Sequence, residues 1–241
     1  MRKLLLASTV ALASLFTIAS PAAARSVTCD GVKHGKIITR DLTVPPGAAC
    51  ELVNSIVRGD VKVRANAYFQ ATNTSIHGDV DATRAQTLFI EDGSLVRGDV
   101  EGDRTAQVFV FGSKVRGEVE VRRANDKVNI CGNTVREDIR VVRSGRDILI
   151  GDPRTTDCPG NNVVQRGDIR IENNFTDVEL VVRGNRINRG DLIVRQNRGP
   201  AAKFVQDNAG GNVLVCTGND PLFTDFNNTG WLNRSGQCGT P

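Results

Sequence analysis

Aromatic and catalytic side chains are scarce in this chain: 241 residues contain one Trp, one Tyr and two His. With only His34 and His77 available, a nucleophilic triad or a histidine metal site has little to be built from. No CxxC pair occurs, so the usual thiolate zinc spacing is absent as well. Beyond the N-terminus no apolar run approaches the length needed to span a bilayer, and no stretch carries a useful helical period. The charge is almost balanced, 31 basic against 27 acidic residues, and the two signs alternate finely instead of pooling. That pattern argues against a nucleic-acid or anionic-membrane footprint and for a solvated, mutually compensating surface.

What is present is a repeat. At steps near twenty residues an apolar residue, often Arg, Gly, an acid and an aliphatic recur in that order. Gly59, Gly78, Gly98, Gly117, Gly167, Gly190, Gly211 and Gly230 mark the beat, with Arg40 and Glu137 standing in. The acids are Asp41, Asp60, Asp79, Asp99, Glu118, Asp138, Asp168 and Asp191. The aliphatic positions are Leu42, Val61, Val80, Val100, Val119, Ile139, Ile169, Leu192, Val213 and Leu232. A fixed period of this length marks units that bury their apolar faces only by stacking. Around the beat apolar residues alternate, as in Val57-Arg58-Gly59-Asp60-Val61-Lys62-Val63, and a second alternation recurs mid-coil at Leu88/Ile90, Val108/Val110, Val128/Ile130 and Leu180/Val182. Short strands repeating in register at this spacing predict an all-β chain, a single right-handed parallel β-helix of about ten coils. A residue without a side chain at the Gly beat suits either a positive φ or a corner where the backbone is crowded.

The outward residues of the beat predict two charged rows. Arg58, His77, Arg97, Arg116, Arg136, Arg166 and Arg189 form one; Asp60, Asp79, Asp99, Glu118, Asp138, Asp168 and Asp191 form the other, with diagonal pairing between coils to offset like-charge stacking. The Arg-Gly-Asp tripeptides at 58, 97, 166 and 189 are products of this repeat within a strand, not an adhesion motif.

Arg2 and Lys3, the apolar run Leu4 to Ile18, and Ala22-Ala23-Ala24 read as a cleavable export signal over residues 1–24, leaving a β-helix over 25–241. A lipid anchor is not indicated, because Val27 and Thr28 precede Cys29. Six cysteines in an exported chain suggest three disulfides. Their spacing pairs Cys29 with Cys50, Cys131 with Cys158 and Cys216 with Cys238, each across about one coil. The middle pair brackets a Gly, Pro and Asp-rich insertion loop near 151–161.

The carboxylates look like equivalent surface rows, none in an apolar setting that would raise its pKa. Trp231 reads as an end cap and Tyr68-Phe69 as corner packing, so no aromatic sugar platform is visible. No catalytic residue, cofactor or metal is nominated. The phrase Val57 to Val61, Ile76 to Val80 and Val96 to Val100 resembles the repeat of bactofilins over about residues 38–194. That likeness implies a bacterial β-helix that polymerises end to end. The closing run from Cys216 to Cys238 is similar to that of secreted proteins of high-GC Gram-positive bacteria. The expectation is a secreted, non-catalytic extracellular or cell-envelope scaffold or binding module whose ligand the sequence does not name, a cell-wall or extracellular polysaccharide being one candidate partner, with a monomer or small oligomer as the assembly. A polysaccharide lyase or hydrolase and a self-assembling filament protein are the alternatives.

Overall fold

The computed structural model describes residues 26–152, Arg154, Cys158 and residues 160–238. The expected export signal, residues 1–24, lies outside them. Among the described residues every regular element is a strand, and the strands stack in parallel into three sheets of 11, 10 and 8 members. One coil shows the plan. Val61–Val63 joins the first sheet, Tyr68–Thr72 the second and Ser75–Ile76 the third. The next coil then begins with Val80–Thr83, paired in register with Val61–Val63.

Inward columns of aliphatic residues make the core. Leu42, Val61, Val80, Val100, Val119, Ile139, Ile169 and Leu192 form one, stacked coil on coil. β-branched side chains suit these pleated columns. The second sheet adds Phe69, Leu88, Val108, Val128, Ile148 and Leu180, a column that ends on the buried Lys203. Burial pushes the Lys203 ammonium below its ordinary pKa, and its Nζ donates to the carbonyls of Gly199 and Ala201 at 2.9 and 3.1 Å.

The corners are closed by buried polar ladders. Ser55, Thr74, Ser94, Ser113, Asn133, Asn162, Asn185, Asn208 and Asn228 lie in one line; the side-chain oxygens of Thr74, Ser94, Asn133, Asn162, Asn208 and Asn228 each accept a backbone N–H of the preceding coil, and that of Asn185 accepts the side-chain amide of Asn162. A second line runs through Ser144, Asn174, Asn197 and Asn219. These bonds satisfy corner amides that no strand pairing reaches.

The last two copies of the repeat sit in a different register from the expected one. Leu192 pairs with Leu214, and Leu214 with Arg234, so Val213 occupies the acid position and Leu232 the glycine position. Leu232 is 77% exposed. The bridges of Arg186 to Ala209 and of Ala209 to Thr229 place Gly210 and Gly230 at the inward third-sheet position, so the corner gains no residue and the glycines of the phrase, Gly211 and Gly230, stand one and two positions ahead of the glycine place. The cysteines pair as the spacing indicates, Cys29–Cys50, Cys131–Cys158 and Cys216–Cys238, with Cα separations of 5.6, 5.3 and 5.2 Å.

Candidate binding faces

The Arg-Gly-acid beat lies at the corner between the third and first sheets, not inside a strand, because its peptide groups pack against the same corner one coil earlier. The acids there are structural acceptors. Asp41 Oδ1 takes the N–H of Asp60, Asp60 that of Asp79, and Asp79 that of Asp99, at 3.1, 3.1 and 2.9 Å. Asp99 takes the N–H of Glu118, and the row resumes from Asp138 to Asp168, Asp191 and Val213. The N–H donated by Asp60 is the main reason the Asp41 carboxyl sits below its ordinary pKa.

Diagonal pairing between the two charged rows is not what forms. Among the described residues, no ion pair involves Arg58, Arg97, Arg116, Arg136, Arg166 or Arg189. The carboxylates are turned back to the corner amides, and their remaining oxygens meet residues further along the strand: Lys62 reaches Asp41 at 3.3 Å, and Arg170 bonds Asp168. His77 stands between Arg58 and Arg97. Loss of hydration, then those two cations, lowers its pKa.

Carboxylates with raised pKa do exist on the outer side of the first sheet. Oxygens of Asp99, Glu101 and Glu118 lie within 4.8 Å of one another. Burial first, then neighbouring carboxylates, pushes Glu101 and Glu118 up. Glu120 alongside is buried and held by Arg122 and Arg140. The sequence reading missed this because it took the carboxylates as equivalent solvated surface rows, whereas the strand pairing brings Glu101 and Glu120 side by side next to the beat acids.

The outer face of the second sheet carries an aromatic row. Phe89 and Phe109 are register neighbours with ring centroids 5.1 Å apart, and Phe111 lies 5.5 Å from Phe89 and 5.9 Å from Phe109. Tyr68, expected at a corner, begins the strand on this side, while Phe69 fills the core. Around the rings runs a polar network: Tyr68 Oη donates to Gln70, Gln70 Nε2 to Glu91 at 2.6 Å, and Thr72 Oγ1 to the same Glu91 oxygen at 2.9 Å. Gln107 Nε2 donates to Asp126 at 2.6 Å. The signal was legible in Gln107-Val-Phe-Val-Phe111, where both strand faces are apolar.

Further along the same face, Cys131, Leu149, Cys158 and Val181 form a second small core outside the coil, flanked by Phe111 and Phe204. The described part of the predicted insertion loop thus returns to cover the sheet. Arg183 ties it down, bonding Asp152 at 2.8 Å and Gln206 while its guanidinium lies 5.8 Å from the Phe204 ring centre. Trp231 is half-buried against the end of the main core and rests on Gly210.

The class defined by these features is a disulfide-stapled parallel β-solenoid. No family profile matches this chain, and neither does any curated protein or solved structure. Its residues are therefore the ground for a functional reading.

Proposed function

We propose that this protein is a non-catalytic, secreted β-solenoid that serves as an extracellular or cell-envelope scaffold and binding module, with a polysaccharide as its partner. The supporting observation is the Phe89–Phe109–Phe111 row with its polar rim. Sugar rings present apolar C–H faces and peripheral hydroxyls; a cluster of three mutually tilted rings beside fixed amides and a carboxylate offers a partner to each. The groups stand on paired strands, so little ordering is lost on binding. Three disulfides suit an oxidising compartment outside the cytoplasm, and no helix of the described residues is long and apolar enough to cross a membrane.

The test is retention on a panel of insoluble cell-wall and extracellular polysaccharides. The Phe89→Thr/Phe109→Thr double variant places β-branched, strand-favouring residues at both positions and is expected to lose retention by tenfold or more, on the order of the contribution of two rings and their burial against a sugar face. Equal retention of variant and parent would remove the ring row from the argument. The enzymatic alternative has the Asp99–Glu101–Glu118 cluster in its favour. Release of reducing or unsaturated ends that stops in Glu118→Gln would establish it.

A further inference from the structure

A second feature lies apart from the ring row, at the corner between the first and second sheets. Arg84, Arg104, Arg123 and Arg143 occupy this corner in four successive coils, all with left-handed backbones (φ 54, 53, 56 and 54°). Non-glycine residues pay on the order of 1 kcal/mol or more to sit there, and Asn pays least. The same corner carries Asn66, Asn173 and Gln196 in other coils (φ 58, 57 and 56°). Four arginines where asparagine is accommodated more cheaply direct attention to what their side chains do.

Next to Arg143 the second sheet is distorted. Gly145 pairs with Phe175 and Asp147 with Glu179, so Thr176, Asp177 and Val178 stand opposite Arg146 alone. The bulge lifts the strand and opens a cleft of about 580 Å³ lined by Arg123, Arg143, Arg146, Asn173, Phe175 and Asp177. Phe175 is 62% exposed. Arg123 is shared with Asp103, and Arg146 holds Asp126 only loosely at 3.7 Å. Among the described residues Arg143 has no ion pair. Arg122 and Arg140 border the adjoining hollow, both engaged by the buried Glu120.

We propose that this cleft binds a carboxylated sugar unit, making the protein a receptor for acidic glycans of the uronate type. The guanidinium forks of Arg143 and Arg146 match a carboxylate bidentately. The exposed Phe175 ring offers a surface for the sugar's C–H face, and Asp177 and Asn173 accept or donate to its hydroxyls. The corner arginines recur one coil apart, about 4.8 Å, so neighbouring acidic units of a chain running along the rod meet further cations. The proposal stands on different residues from the ring row, and either can fail without the other.

Calorimetric titration with tetragalacturonate, its methyl ester and inorganic phosphate decides the matter. The expected result is binding of the free acid that weakens steeply with salt, with no binding of the ester and no competition by equimolar phosphate. Arg143→Asn, which keeps a residue suited to the corner conformation, should weaken binding about tenfold or more with an unchanged melting temperature. Phe175→Ala should weaken it several-fold, Arg186→Gln on the third sheet not at all, and Phe89→Thr/Phe109→Thr should leave it intact. Failure of the parent to bind, equal binding of the ester, full competition by phosphate, or undiminished binding by Arg143→Asn would each overturn the assignment. Loss confined to the Phe89/Phe109 variant would transfer acidic-glycan binding to the ring row.

Discussion

At Gly98 a Cβ would lie 1.9 Å from Asp79 Oδ1 and 2.9 Å from the backbone of Gly78. The same collision with the preceding aspartate awaits Gly59, Gly78, Gly117, Gly167 and Gly190. Glycine and aspartate are thus coupled across coils: the carboxylate that folds back to accept an amide takes the space a side chain would need. Glu137, the stand-in at this beat, follows the coil whose acid is Glu118 instead of Asp, and Arg40 belongs to a coil with no acid before it. The exceptions obey the rule. Gly98→Ala should therefore destabilise the protein by roughly 2–4 kcal/mol, as overpacking with a displaced hydrogen bond does. Asp79→Ala alone should cost about 1–2 kcal/mol. The double variant should be less destabilised than the sum, because removing the carboxylate vacates the contested space while the close backbone remains. Denaturant unfolding measures the coupling, and strict additivity would sink this account.

At the scale of elements, the sequence carried the first-sheet and third-sheet strands clearly, since Val, Gly and Asp recur at one beat and the core columns follow it. Its reading failed where the repeat lost that beat. In the last two copies Gly211 and Gly230 fall ahead of the glycine place, and the Asn ladders went unseen because Asn133, Asn162, Asn185 and Asn208 fall at uneven steps and look like loop residues. The ring row was signalled by one strand, whose Phe109 and Phe111 alternate with core residues, but that Phe89 joins them on the same outer face follows only from the pairing of strands. The corner arginines look like ordinary surface charge until their backbone angles are known. The insertion was legible as a loop, but not its return over Leu149 and Val181. Replacing Cys131 and Cys158 together by Ser should release that cover while the coils persist. Hydrogen exchange is expected to rise around residues 147–151 and 180–183, with the terminal coils unaffected. Chain entropy for a loop of this length gives about 3 kcal/mol. Exchange spreading evenly along the rod would show that the loop braces the whole solenoid.

For the whole molecule the question is what stops one rod from stacking on another, since terminal coils leave strand edges open. Cys29–Cys50 and Cys216–Cys238 fix the described first and last coils from within the core. At the C-terminal end the final first-sheet strand, Asn233–Gly236, is polar and carries Arg234 where earlier coils bury an aliphatic residue. Arg234 donates to the carbonyl of Asn228, and Trp231 lies over Gly210. An arginine at a core position cannot be buried under another coil without desolvating its charge, which opposes stacking. The end is not wholly polar, because Leu222, Phe226 and Leu232 are exposed in its last coils, and these side chains are available to a side-on contact. The expected assembly is accordingly a monomer or a small closed oligomer. Light scattering on the oxidised protein tests it, and Arg234→Val supplies the contrast: restoring an aliphatic residue to the terminal column should promote end-to-end association. Ordered filaments formed by the parent, with a repeat near the rod length, would instead support the bactofilin-like reading and show that these terminal features do not act as caps.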